Sequence, residues 1–201
     1  MQSAPGMSSS DRIREEALKL FVQNGYEGAS IEDIARQVGI RKASIYSHFK
    51  NKEDLYIQIF ENAVKWDKEY FESLTQSFEK EDTKQKLKTI LQQYCHIYTD
   101  EASVDRIRFV NRAMIYPPDF LRDKLQSIFA SYETQFNQFF LLIIEEGQKK
   151  KILCSTPSQD ILSFFYCIVD GLFVESFYYP SDIYEKRFDA IWSCFWRAIQ
   201  K

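Results

Sequence analysis

Residues 30 to 52 place two short apolar repeats on either side of a glycine. Ile31, Ile34, Ala35 and Val38 follow the i, i+3, i+4, i+7 spacing of one helix face. Ser30 stands before them as an N-cap, and Glu32 and Asp33 occupy the first turn, where a helix dipole favours acids. Gly39 ends that helix, and a second short one follows over roughly residues 41–48. Two short helices joined by a tight turn have the form of a helix-turn-helix. The preceding helix, over residues 11–24 with Ile13, Ala17, Leu20 and Phe21 on one face, stops at Asn24-Gly25 and is expected to pack across both.

In that arrangement Val38, Ile40, Ile45 and Phe49 point inward. Lys42, Ala43, Ser44, Ser47 and His48 point outward. A helix that enters a DNA major groove needs small residues for close approach, donors or acceptors for base edges, and flanking cations for phosphates. The charge pattern fits. The whole chain carries a formal charge of −3, yet Arg36, Arg41, Lys42, Lys50 and Lys52 fall in one stretch without a carboxylate. Residues 1–56 as a whole are balanced, so the feature is a basic patch, and acid elsewhere steers DNA toward it. Tyr46 is either a core aromatic or a DNA contact, because its hydroxyl needs a partner. Phe49 reads as core.

The remainder is helical. Only six Gly and five Pro among 201 residues argue against a turn-rich β fold, and 45% hydrophobic content supplies a core. A long helix starts near Lys52, and others are expected at roughly 83–99, 103–115, 118–149, 158–179 and 182–199. The expected organisation is a tail over 1–10, a three-helix DNA-binding domain over 11–51 and a larger helical bundle over 52–201. The tail lacks the pattern of a signal peptide, and the apolar run Phe139–Ile144 is too short to span a bilayer. A cytoplasmic location and no membrane partner are expected. Cys95, Cys154, Cys167 and Cys194 read as buried free thiols. No metal, cofactor or catalytic role is expected: there is no HExxH, P-loop, GxSxG or dinucleotide fingerprint. Lys149-Lys150-Lys151 reads as a solvated helix end.

Segment 158–179 is apolar almost all round and should be buried on several sides, more than one protomer of this size provides. A homodimer interface supplies the rest. Gly171 would permit close helix approach, and Phe188, Ile191, Trp192 and Phe195 form a second stripe on the last helix. Asp170 and Glu175 interrupt the apolar segment. Each is either paired with a neighbouring Tyr, Arg or Lys, or neutralises a cationic or polar ligand.

The stretch RIREEALKLFVQNGYEGASIEDIARQVGIRKASIYSHFKNKEDLY resembles the N-terminal domain of TetR-family transcriptional repressors, through the pattern LF…GY…S…IA…G followed by IY.HF..KE.L. The resemblance covers about a quarter of the chain. It implies a homodimer that binds a partly two-fold-symmetric DNA operator and releases it on binding a small-molecule effector. Residue by residue, it implies phosphate contact at Ser30 and Lys52. Base contacts fall at Lys42, Ala43 and Ser44, a DNA-backbone contact at Tyr46, and a position near bases or phosphate at His48. Arg41 stands where many relatives have Ser or Thr. It gives no side-chain cap but adds a DNA donor. The same resemblance puts Tyr94, Tyr98, Phe109, Met114, Phe136, Phe140 and Phe165 on helices around an effector cavity. An aromatic-rich cavity makes a hydrophobic or aromatic effector the expected class, and Glu175 is a further candidate ligand residue. The helix from Lys52 is expected to link the two domains. A ligand-independent DNA-binding co-regulator is the alternative.

Overall fold

The computed structural model describes residues 8–75, 78, 81–97 and 103–201. The all-α class holds. The described helices are α1 (Ser9–Gly28), α2 (Ile31–Val38), α3 (Lys42–Tyr46), α4 (Lys52–Thr75), α5 (Thr83–Ile97), α6 (Val104–Ile115), α7 (Arg122–Lys149), α8 (Ser158–Tyr178) and α9 (Ser181–Ile199). The expected tail over Met1–Met7 lies outside the described residues. The Ser8 hydroxyl accepts from the Asp11 N–H at 3.2 Å and caps α1, so Ser9 and Ser10 are helical rather than tail.

Packing divides the chain into two compact units. One comprises the described residues of Met1–Asp67 and Glu101–Ala130, the other those of Lys68–Asp100 and Ser131–Lys201. This grouping differs from a division at residue 51, because α6 joins the first unit. Its buried face, Ile107, Phe109, Val110 and Ala113, packs against α1. Phe109 meets Tyr56 at 4.9 Å, Phe21 at 6.2 Å and Phe60 at 6.5 Å between ring centroids. Burying each such ring contributes about 1.5–3 kcal/mol.

In the second unit α8 packs on α5 and α9. Phe140, Phe165 and Phe195 are buried there, with Phe140 and Phe165 4.7 Å apart and Phe165 and Phe195 5.8 Å apart. The connection between α7 and α8 is held by Gln148, whose amide donates to the carbonyls of Cys154 at 3.0 Å and Thr156 at 2.6 Å. By length and composition α8 would cross a bilayer, with mean hydropathy 1.5. Its Ile161, Leu162, Phe165, Val169 and Leu172 are buried against protein, and 28% of the apolar window is buried in all.

Candidate nucleic-acid interface

α2 is set by its two ends. The Ser30 hydroxyl accepts from the Asp33 N–H at 3.1 Å and donates to the Asp33 carboxylate at 2.6 Å. That bond holds the Asp33 carboxyl below its usual range, with Arg36 assisting. At the other end Gly39 takes the left-handed conformation (φ 76°, ψ 33°). Its N–H and that of Ile40 return to the carbonyls of Arg36 at 3.2 Å and Ala35 at 3.0 Å. The chain then enters α3 through Arg41, which makes no side-chain cap. Ile45 and Phe49 are buried, with the Arg14 guanidinium 5.4 Å above the Phe49 ring.

This leaves Arg41, Lys42, Ala43, Ser44, Tyr46, Ser47 and His48 together on the exposed side of α3 and its following turn. Tyr46 is 48% exposed, so it is not a core aromatic. The Ser47 hydroxyl donates to the Ser44 carbonyl at 2.7 Å, which leaves it an acceptor. Of the five cations in the patch, Arg36 pairs with Asp33 at 3.1 Å. Arg41, Lys42 and Lys50 are exposed and have no acidic side-chain partner among the described residues.

Two expected phosphate ligands are otherwise engaged. The Lys52 ammonium donates to the carbonyls of Tyr26 at 2.7 Å and Ala29 at 3.1 Å and lies 4.1 Å from the Tyr26 ring centroid. Its main role is therefore to tie the α1–α2 connection to α4, with one N–H remaining for a phosphate. The Ser30 hydroxyl hydrogen is committed to Asp33, so any phosphate there would have to be met by backbone N–H groups.

The folded chain fits published relatives at this site. Residues 13–59 match the family model for bacterial regulatory proteins of the tetR family. Over these residues the chain is similar to tetR-family regulators. The IcaR negative transcriptional regulator of the biofilm operon icaADBC from Staphylococcus epidermidis is 41% identical over 56 residues, which are 28% of this chain and 30% of that protein. IcaR from Staphylococcus aureus is 46% identical over 48 residues, 24% of this chain and 26% of that protein. The match thus spans less than a third of the curated relatives' length. Whole-chain likeness comes from solved structures. A transcriptional regulator from Saccharomonospora viridis in complex with choline superposes with a TM-score of 0.76, at 18% identity, over 96% of this chain and 98% of that one. The fatty acid degradation regulator FadR from Bacillus halodurans gives 0.74, at 16% identity, over 98% and 97%. These likenesses show a shared fold over nearly the whole chain.

The expected effector residues do not form one group. Tyr98 lies outside the described residues. Phe109 belongs to the aromatic core of the first unit, and Met114 is half-buried on the same helix. Phe109 is thus a packing residue, not a pocket wall, because its neighbours are the rings of α1 and α4. In the second unit Tyr94, Phe136, Phe140 and Phe165 do cluster: Tyr94 is 5.8 Å from Phe136 and 6.4 Å from Phe165. Glu175 is neutralised within its own chain by Arg187, whose guanidinium lies 3.8 Å from the Tyr179 ring centroid, so it is not a free ligand anchor. A cleft of about 400 Å³ lies in the first unit, lined by side chains of α1, α4 and α6 that include Asp11, Arg14, Lys19 and Asn62. Its charges already cancel through Arg14–Asp11 at 2.7 Å and, at its edge, Lys19–Glu16 at 2.8 Å.

The expected dimer residues also divide. Gly171 is exposed, with open space where a Cβ would stand. Phe188, Trp192 and Phe195 are 8%, 6% and 1% exposed, so they are core residues of their own chain and not an interface; Ile191 is half-buried. The uncovered apolar face of α8 is instead Phe164 (45% exposed), Cys167, Gly171, Val174 (44% exposed) and Tyr178. Ala190 and Cys194 are exposed on α9. Cys167 and Cys194 are thus exposed rather than buried thiols.

Asp170 lies beside that face, partly desolvated, and burial pushes its carboxyl above the usual range. A folded-state carboxyl raised above its unfolded value costs stability as pH rises from the unfolded value through the raised one. Asp170→Asn is therefore expected to raise the melting temperature at pH 7. The gain should fade on acidification and vanish below the ordinary carboxylate range. A gain independent of pH would assign it to something other than this charge.

Proposed function

We propose that this chain is a transcriptional repressor that binds a partly palindromic DNA operator as a homodimer and is released by a small hydrophobic or aromatic effector. The observation that carries the DNA-binding reading is the exposed surface of α3. It offers small residues at Ala43 and Ser44, flanked by Arg41 and Lys42 without acidic partners. Arg41, Lys42 and Ser44 read bases or phosphates, Tyr46 and His48 approach the sugar-phosphate backbone, and Ser47 accepts from it. Repression is the activity named for IcaR, to which this chain is 41% identical over 56 residues. The uncovered face of α8 supports homodimerisation, and two recognition helices would then meet half-sites about one DNA turn or a multiple apart. The effector reading rests on the Tyr94–Phe136–Phe140–Phe165 cluster and on the choline complex of a protein sharing the fold. Coupling between effector and operator of about 1–3 kcal/mol is typical, and operator must then weaken effector binding by the same factor. The protein acts where the chromosome is, in the cytoplasm.

A salt titration of operator binding tests the DNA contacts. Each lost phosphate contact lowers the slope of log K against log salt by about 0.9. Arg41→Ala/Lys42→Ala is expected to lose tenfold or more in affinity, with a slope reduced by about 1 to 2. An unchanged slope removes both residues from the phosphate contacts.

A further inference from the structure

The C-terminal end of α1 is held by a side chain from a helix remote in sequence. α1 leaves regular geometry at Gly25 (φ 72°, ψ 179°), and the chain then turns toward α2 at Ser30. Arg112, from α6, donates from Nη1 to the Val22 carbonyl at 3.2 Å. Its other terminal nitrogen lies against Gly25: a Cβ there would come within 2.7 Å of Nη2 and 3.4 Å of Cζ. Gly25 is needed for its positive φ, and a Cβ there would push the end of the exposed Arg112 side chain aside. A cation at this end also suits the helix dipole. Lys52 grips the next carbonyls of the same connection, Tyr26 and Ala29. Phe120 covers the Tyr26 ring at 5.5 Å.

α2 and α3 follow directly from this connection, so its geometry sets the angle at which they leave α1. Arg112 lies outside the matched segment 13–59, and a lysine would lack the planar fork that reaches Val22 while filling the space over Gly25.

We infer that Arg112 is a positioning residue for operator binding: by bridging α6 to the α1–α2 connection it fixes the orientation of the helix-turn-helix. This rests on the DNA-binding reading above. The full-length protein is compared with Arg112→Met, Arg112→Lys, Gly25→Ala and the Gly25→Ala/Arg112→Met double variant. Two quantities are read: hydrogen exchange of the amides at 26–30, and operator affinity. Arg112→Met should speed exchange at 26–30 about tenfold, leave α8 and α9 unchanged and weaken operator binding about tenfold, with Arg112→Lys recovering part of both. Gly25→Ala should do less harm in the Arg112→Met background than in the wild type, because it expels a group already gone. Unchanged exchange at 26–30, additive effects of the two substitutions, or faster exchange with full operator affinity would each overturn the assignment. Failure of the DNA-binding reading is separate: it would appear as no operator binding by the wild type, while the exchange result still decides whether Arg112 holds the connection.

Discussion

Phe109→Ala is expected to unfold the unit that carries the helix-turn-helix at a temperature roughly 12 °C or more below wild type. The ring is 1% exposed and touches Phe21 of α1 and Tyr56 and Phe60 of α4. Truncating a buried phenylalanine costs about 3–5 kcal/mol through lost transfer energy and the cavity left behind. A unit of this size shifts by about 4–8 °C for each kcal/mol. The Tyr56 hydroxyl, pushed up to about 12 by burial, lies in the same core and would be hydrated in the variant. Calorimetry with tyrosine absorbance checks both. Phe109→Leu should recover most of the loss. A melting temperature within about 2 °C of wild type would return Phe109 to the list of pocket candidates.

Val174→Asp is expected to give a folded monomer. Val174 is 44% exposed and shares the uncovered face of α8 with Phe164, Cys167 and Gly171. A carboxylate there is harmless in water and costly once a second copy covers it. Helical circular dichroism should be unchanged, while sedimentation shows half the mass. Operator affinity should fall by about 10²–10⁴, because two half-sites can no longer be held by one particle. Trp192→Ala makes the contrast. Trp192 is 6% exposed, stacks with Trp196 at 6.0 Å and meets Phe195 at a tilt at 6.1 Å, so its truncation should lower thermal stability by about 3–5 kcal/mol, the range for a buried aromatic. A Val174→Asp protein that remains dimeric would place the interface elsewhere.

What the sequence disclosed was local. Ser30 and Asp33 cap α2 as their spacing demands, Gly39 stops it, and the prolines at 117, 118, 157 and 180 mark the breaks around α7, α8 and α9. Signals of this kind reach three or four residues, and a single chain carries them openly. The destination of a helix face is a different matter. Periodicity shows that α6 hides Ile107, Phe109, Val110 and Ala113, but not that α1 and α4 cover them. The same limit applies to the stripe expected to meet a partner. The strongest apolar stripe of α9, through Phe188, Trp192 and Phe195, is consumed by the chain's own core. The surface left exposed on α8 and α9 is less apolar and includes the small residues Gly171 and Ala190. Lys52 was legible as a cation beside the recognition helix, but its carbonyl partners at Tyr26 and Ala29 depend on a turn that only the fold creates. Arg112, more than eighty residues beyond the α1–α2 connection in the chain, carried no sequence signal at all.

The central claim is that the α3 surface reads DNA, and selection of genomic fragments tests it most directly. Purified wild-type protein and the Arg41→Ala/Lys42→Ala variant are each incubated with sheared DNA of the source genome at physiological salt, and the retained fragments are sequenced. The expected result is a near-palindrome enriched by the wild type alone, with half-site centres about one helical turn or a multiple apart. Equal retention by the two proteins, or no enriched sequence, would contradict a sequence-specific operator contact by this surface.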